Sequence, residues 1–235
     1  MADKVELAAS LMCGDYRRLG AQIRELDAAG IDRYHLDVMD GHFVPNLGLG
    51  PELVAGLRSE TDRPFDAHLQ VSEPERFIEL FASAGCETLI VHQEASNHLR
   101  RLVAQIQDAG CKPGIALNPA TPTGALPHLL ADMSQVIVMT VDAGFAGQPF
   151  TWSVVPKMAF VHAQIAELGS GARICADGGI NPRTIPDVVR AGARILVLGS
   201  TGLFGEADFG AALSAIRRQV AATLGDAPQP GASHG

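Results

Sequence analysis

The sequence predicts a single closed (β/α)8 barrel. Eight short β-like runs alternate with amphipathic helical patterns along most of the chain. One Ala-Gly phrase recurs where a helix should give way to a strand, and polar residues collect at the carboxyl ends of several strand runs. The barrel occupies residues 1–224, and the proline- and glycine-rich stretch 225–235 is expected to be a disordered tail. An open doubly wound sheet is the structural alternative, but the first strand run lacks the G-x-G-x-x-G turn of a dinucleotide-binding sheet.

The strand runs are 6–12, 33–39, 65–71, 88–92, 114–118, 135–141, 173–177 and 195–199. Between them, residues 16–29 carry Leu19, Ile23 and Leu26 at helical spacing, and residues 74–84 carry Phe77, Leu80 and Phe81. Ser72-Glu-Pro-Glu75 and Asn181-Pro182 have the form of helix starts, with a capping side chain followed by proline. Ala29-Gly30, Ala84-Gly85, Ala109-Gly110 and Ala191-Gly192 have the form of helix ends, where glycine takes the left-handed conformation that a strand entry needs.

Composition narrows the function. The 235 residues are 47% apolar and 19% charged, enough apolar matter for one sizeable core. A formal charge of −8 argues against nucleic acid or an anionic membrane as partner, because both demand a basic patch. It leaves room for a small phosphorylated ligand held by backbone amides. The start of the chain lacks the apolar core of a signal peptide, and apolar runs such as 136–139 and 195–198 are far too short to span a membrane. Cys13, Cys86, Cys111 and Cys175 form no CxxC pair, as expected of reduced thiols in a cytoplasmic protein.

Side-chain alternation then locates a site. With Tyr34, Leu36 and Val38 facing the helices, His35, Asp37 and Met39 point into the barrel. The same phase turns His68 and Gln70 inward from the third strand and Cys175 and Asp177 inward from the seventh. Two buried carboxylates and two imidazoles without a cation would be costly, and one divalent metal removes the cost. A set of His35, Asp37, His68 and Asp177 suits zinc, manganese, iron or cobalt better than magnesium or calcium. The plainer alternative makes His68 a hydrogen-bonded core histidine and the aspartates helix caps; four residues in one phase favour the metal. His92 also ends a strand, but nothing in the sequence ties it to this set, so it is assigned a structural role.

Glycines mark a second constellation. Gly144, Phe145, Ala146 and Gly147 follow the sixth strand, Gly178 and Gly179 the seventh, and Gly199 and Ser200 the eighth. Loops at these places in a barrel commonly cradle a phosphate with backbone N–H groups. The only lysines, Lys4, Lys112 and Lys157, are all away from the carboxyl ends of strands, so Schiff-base chemistry lacks its amine.

These motifs resemble a known family. His35-Leu-Asp-Val-Met-Asp-Gly-His-Phe-Val-Pro-Asn46 is similar to the signature of the ribulose-phosphate 3-epimerases, and the likeness extends over about residues 6–205. It includes Ser10, Asp66-Ala-His-Leu69, Leu117-Asn-Pro119, Gly144-Phe-Ala-Gly-Gln148, Asp177-Gly-Gly179 and Gly199-Ser200. The resemblance implies a metal-dependent epimerase acting on a phosphorylated ketose. His35, Asp37, His68 and Asp177 would be the ligands, and Asp37 and Asp177 the acid–base pair. Ser10, His68 and the three glycine loops would hold substrate and phosphate, while Met39 and Met139 would shield the intermediate or simply pack. It also implies a homo-oligomer. Ser10-Leu-Met-Cys13, Met139-Thr-Val-Asp142, Gly144-Phe-Ala-Gly-Gln-Pro-Phe150 and Gly202-Leu-Phe204 resemble the D-allulose-6-phosphate 3-epimerase branch, so of the two substrate pairs the family implies, D-ribulose 5-phosphate with D-xylulose 5-phosphate and D-allulose 6-phosphate with D-fructose 6-phosphate, the motifs lean to the second.

Four positions depart from the family pattern. Gln70 replaces a methionine, Cys175 a glutamate, and Ala143 and Ala9 prolines. Other activities on the same barrel are a phosphosugar lyase or decarboxylase, and a non-catalytic phosphate-binding homologue. The related decarboxylases use D-x-K-x-x-D, whereas Asp37-Val-Met-Asp40 has no lysine.

Overall fold

The structure is a computed structural model that describes residues 4–225. Eight parallel strands close into a barrel in chain order: β1 (Glu6–Ser10), β2 (Arg33–Met39), β3 (Phe65–Gln70), β4 (Thr88–His92), β5 (Lys112–Leu117), β6 (Gln135–Met139), β7 (Arg173–Asp177) and β8 (Ala193–Leu198). Around them lie α1 (Leu19–Ala28), α2 (Pro51–Leu57), α3 (Ile78–Ser83), α4 (Leu99–Asp108), α5 (Val155–Glu167), α6 (Ile185–Arg190) and α7 (Phe209–Gly225). Residue 225 thus ends α7, and the expected tail beyond it lies outside the described residues. Among the described residues no helix is long and apolar enough to cross a membrane.

The expected helix ends form as anticipated. Gly30, Gly85, Gly110 and Gly192 all take positive φ, between +78° and +103°. At the first, Gly30 N donates to Asp27 O and Ile31 N to Leu26 O, the paired bonds that close a helix and release the chain into β2.

Other local expectations give way to tertiary structure. The crossover from β5 to β6 has no α-helix, only short 3-10 turns at Leu126–His128 and Leu130–Asp132, because Pro119, Pro122, Gly124 and Pro127 interrupt helical bonding. The stretch 74–84 divides into a 3-10 turn, Pro74–Arg76, and α3, which leaves Leu80 half exposed. Ser72 caps nothing with its side chain; its amide donates to Asp40 Oδ2 at 2.8 Å. Asn181 does accept the Arg183 amide at 2.9 Å, although α6 begins only at Ile185.

Two apolar layers follow from strand alternation. Tyr34, Leu36 and Val38 join the large cluster between strands and helices, and the Tyr34 hydroxyl donates to Ile23 O at 2.8 Å to tie β2 to α1. Burying each such side chain contributes about 1.5–3 kcal/mol. The barrel lumen holds a smaller cluster that includes Ala8, Ile90, Ala116, Ile137, Cys175 and Ile195. Above this apolar plug, at the carboxyl ends of the strands, the side chains turn polar.

Candidate active site

Strand register builds the site. Pairing of β2 with β3 sets Asp37 beside His68 and Met39 beside Gln70, while β1 sets Ser10 beside His35. On the other side of the mouth, β6 sets Met139 beside Asp177. The inward phase anticipated for His35, Asp37, His68 and Asp177 is the observed one, and these four offer ligand atoms within 4.8 Å of one another.

The distances inside the cluster are those of a coordination shell. His35 Nε2 lies 3.2 Å from His68 Nδ1, and each of these nitrogens lies 3.6 Å from Asp37 Oδ1 and 3.5 Å from Asp177 Oδ2. Ligands about 2.1 Å from a tetrahedral ion stand about 3.4 Å apart. Two imidazoles and two carboxylates form a donor set for a borderline divalent ion, so the residues present fit a metal.

Electrostatics in the metal-free protein point the same way. Burial opposes charge on His35, yet Asp37 and Asp177 outweigh it and push its pKa up to about 10. Burial likewise opposes ionisation of Asp37 and Asp177, and contact with His35 and His68 holds both below the ordinary carboxylate range. A proton on His35 therefore stands where a cation fits.

Neighbouring groups orient the two aspartates. Ser10 Oγ donates to Asp37 Oδ2 at 2.8 Å, and Gln70 Nε2 donates to Asp37 Oδ1 at 2.8 Å. The Ser10 hydroxyl, expected to hold substrate, is thus committed to the Asp37 carboxylate as well as lining the cavity. Gln70 supplies a donor that a methionine would lack, and its own Oε1 is buried without a partner. Gly48 approaches the backbone under Asp37 so closely that a Cβ there would lie 2.3 Å from Asp37 O. Thr140 Oγ1 donates to Asp177 O at 2.8 Å and also bonds Gly178 O. Cys175 sits inward as anticipated, but burial raises its thiol pKa well above the usual value, so it packs as a small neutral residue.

A cavity of about 540 Å³, counting the space open at its mouth, covers the cluster. Asp37, Asp177, Met39, Met139 and Gln70 line it below; Gly144, Phe145, Ala146, Gly147, Gly178, Gly179, Gly199 and Ser200 line its wall. All three anticipated glycine loops therefore meet at one pocket. His35 and His68 do not line it and lie beneath the carboxylates. At Gly178, φ is +109° and a Cβ would lie 2.5 Å from Val141 Cγ2, so only glycine fits the turn beyond Asp177. Asn46 Nδ2 donates to Gly144 O at 2.8 Å, and Ala143 N donates to Asn118 Oδ1 at 3.1 Å, which ties the 142–148 loop to two neighbours.

The structure links His92 to the set, a connection the sequence did not show. Its Nε2 lies 2.9 Å from His68 Nε2, and its Nδ1 lies 3.1 Å from Glu94 Oε2. Burial lowers the His92 pKa to about 4, which leaves the ring neutral. Burial would raise Glu94, but bonds from His92, Thr121 and the Asn118 amide hold it at about 2. The available sequence signal was the spacing His92-Gln-Glu94 at the end of an inward-phased strand.

A parallel barrel with a buried His2Asp2 cluster at its carboxyl-terminal mouth, beside a glycine-walled pocket, defines the class: a barrel enzyme whose mouth carries four residues that could hold a metal ion. The sequence matches the Ribulose-phosphate 3 epimerase family over residues 6–204. The chain belongs to this family, whose members are isomerases of the epimerase class. It is 44% identical to the ribulose-phosphate 3-epimerase of Bacillus subtilis (strain 168), over 91% of this chain and 98% of that one. It is 40% identical to the chloroplastic ribulose-5-phosphate-3-epimerase of Arabidopsis thaliana, over 90% of this chain and 75% of that one. Among solved structures, KGPDC from Streptococcus mutans superposes with a TM-score of 0.70 at 15% identity, covering 94% of this chain and 99% of the other. At that identity the likeness concerns the fold alone.

Proposed function

We propose that this protein is a metal-dependent ketose-phosphate 3-epimerase that interconverts D-ribulose 5-phosphate and D-xylulose 5-phosphate. The observation that carries the reading is the pair Asp37 and Asp177, which reach one buried His2Asp2 cluster from strands separated by β8 and β1. The relatives' names supply the pentulose.

Inversion at C3 requires removal of a weakly acidic proton beside the C2 carbonyl and return of one to the opposite face. One aspartate takes the C3 proton, and the C–H electron pair moves into the C2–C3 bond as the carbonyl becomes an oxyanion. The other aspartate, ionised without substrate and required to take up a proton as the sugar binds, delivers that proton to C3 from the far side, and the enediolate electron pair closes the new C–H bond as the C2 carbonyl re-forms. The two exchange roles in the reverse direction. Zinc, manganese, iron or cobalt held by His35, Asp37, His68 and Asp177 would supply Lewis-acid stabilisation of the enediolate oxygens. Ser10 and Gln70 orient Asp37, and Thr140 anchors the backbone of Asp177. The loops at 144–147, 178–179 and 199–200 would bind the phosphate through backbone N–H groups, with Phe145 as a partly exposed cover. Met39 and Met139, 6% and 3% exposed, exclude water from the reacting carbon.

A second substrate is favoured by the motifs at 10–13, 139–142, 144–150 and 202–204, which resemble the D-allulose-6-phosphate branch. One pair of assays tests both readings. Metal-loaded enzyme in D2O should place deuterium at C3 of the product, and kcat/KM for the two ketose phosphates should differ by an order of magnitude or more. No turnover of either sugar, or product without deuterium at C3, would overturn the epimerase reading.

A further inference from the structure

Behind His68 a line of hydrogen bonds runs from buried His92 out to the partly exposed carboxylate of Glu94, and its direction is fixed from the far end. Glu94 Oε1 accepts from the Asn118 amide at 2.9 Å and from the Thr121 hydroxyl, leaving Oε2 for His92 Nδ1 at 3.1 Å. A carboxylate only accepts, so the hydrogen of this bond belongs to His92 Nδ1. Gln70 Nε2, which only donates, lies 3.3 Å from His68 Nδ1, so that nitrogen keeps its lone pair, and across the 2.9 Å between His68 Nε2 and His92 Nε2 it is His92 that accepts. His68 must then hold its hydrogen on Nε2. Its Nδ1 is left without a hydrogen, 3.2 Å from His35 Nε2, 3.6 Å from Asp37 Oδ1 and 3.5 Å from Asp177 Oδ2.

We infer that Glu94 and His92 are positioning residues of the metal centre, which set the tautomer of His68 so that its Nδ1 lone pair faces the ion. This rests on the metal reading of the site given above. Such outer partners fix ring orientation and ligand basicity, and their loss commonly weakens metal binding. The surroundings are rigid enough for the task. His68 and His92 are fully buried, their rings are within 18° of parallel, and the Phe43 ring lies 4.8 Å from that of His92. Lys157 Nζ grips the carbonyls of Asn118, Pro119 and Thr121, and so holds the loop that fixes Glu94.

The isosteric change Glu94→Gln separates this role from packing. Asn118 N–H and Thr121 still need an acceptor, so the new amide keeps its oxygen there and turns its NH2 toward His92. His92 must then carry its hydrogen on Nε2, and the reversal passes to His68, whose hydrogen moves to Nδ1 and blocks the ligand position.

The test uses the full chain, stripped with a chelator, with zinc as the probe. Zinc affinity is measured by chelator competition, and ring nitrogen shifts of His68 and His92 by NMR. Wild type should show His92 protonated on Nδ1, and Glu94→Gln should reverse that pattern and bind zinc about 10- to 100-fold more weakly. In a His92→Phe background, Glu94→Gln should cause no further loss. Wild-type affinity in Glu94→Gln, or a wild-type His92 protonated on Nε2, would overturn the inference even if His92→Phe does not fold. Uptake of no zinc by wild type would overturn the metal reading and this inference together. Normal uptake with Glu94→Gln unaffected would overturn this inference alone.

Discussion

The two ends of the barrel treat buried charge in opposite ways. At the amino-terminal end, Arg33 meets Asp66 at 2.8 Å and Glu6 at 3.1 Å, and Arg173 meets Glu6 at 2.8 Å. Two arginines face two acids, and the charges cancel in place. At the carboxyl-terminal end, Asp37 and Asp177 meet two imidazoles, and Asp37 also meets a hydroxyl and an amide. None of these carries a permanent positive charge. The contrast teaches where chemistry can occur: a compensated network is structural, whereas a cluster short of cation is a place for one to bind.

The largest effect expected from breaking this contrast lies at the mouth. Asp37→Asn and Asp177→Asn should each lower kcat by at least about 10³-fold, since in the proposed mechanism each removes both a ligand and a proton carrier. Circular dichroism should show the fold retained. An active Asp37→Asn or Asp177→Asn enzyme would remove the acid–base assignment.

The opposite substitution tests the other end. Asp66→Ala should cost about 1–3 kcal/mol in urea unfolding, because it leaves the half-buried Arg33 guanidinium with Glu6 alone for an acid. Turnover per folded molecule should stay within about twofold of wild type, since Asp66 lies two positions along β3 from His68 on the side away from the mouth.

Proton counting sharpens the comparison further. With its pKa raised to about 10, His35 is charged at pH 7 in the metal-free protein. Metal uptake should therefore release about one proton, seen as a buffer-dependent binding enthalpy. The same shift bears on stability. A raised folded-state pKa stabilises fully below the ordinary histidine value of 6.5, and the contribution is lost as pH rises toward about 10. The Tm of chelator-treated protein should fall across that window more steeply than that of metal-loaded protein.

The smallest effect concerns Gln70. Gln70→Met removes a donor to Asp37 together with an unpartnered buried oxygen, so the two losses largely offset. Stability should change by less than about 1 kcal/mol, while kcat/KM shifts severalfold through the freed Asp37 carboxylate. An unchanged kcat/KM would show that the bond to Asp37 is incidental.

Much of this site is legible along the chain because strand alternation is local. The inward phase of His35, Asp37, His68 and Asp177 follows from period two, and β2, β4 and β7 run over the residues their patterns mark. Edges are harder. β5 starts two residues before its apolar run, at Lys112, because pairing with β4 recruits Lys112 and Pro113 despite the missing proline donor. Leu80 fits a helical stripe yet stays half exposed, since the 3-10 turn at Pro74–Arg76 changes the face that α3 presents.

Strand phase, the glycine helix ends and the residue types at the mouth were written in the sequence, because each depends on neighbours a few positions away. The hydrogen-bond line from Glu94 through His92 to His68, the commitment of Ser10 and Gln70 to Asp37, and the fastening of the 142–148 loop by Asn46 and Asn118 arose only on closure of the barrel. Those contacts join separate strands and loops, and their geometry depends on register and side-chain rotamer, which no local spacing encodes.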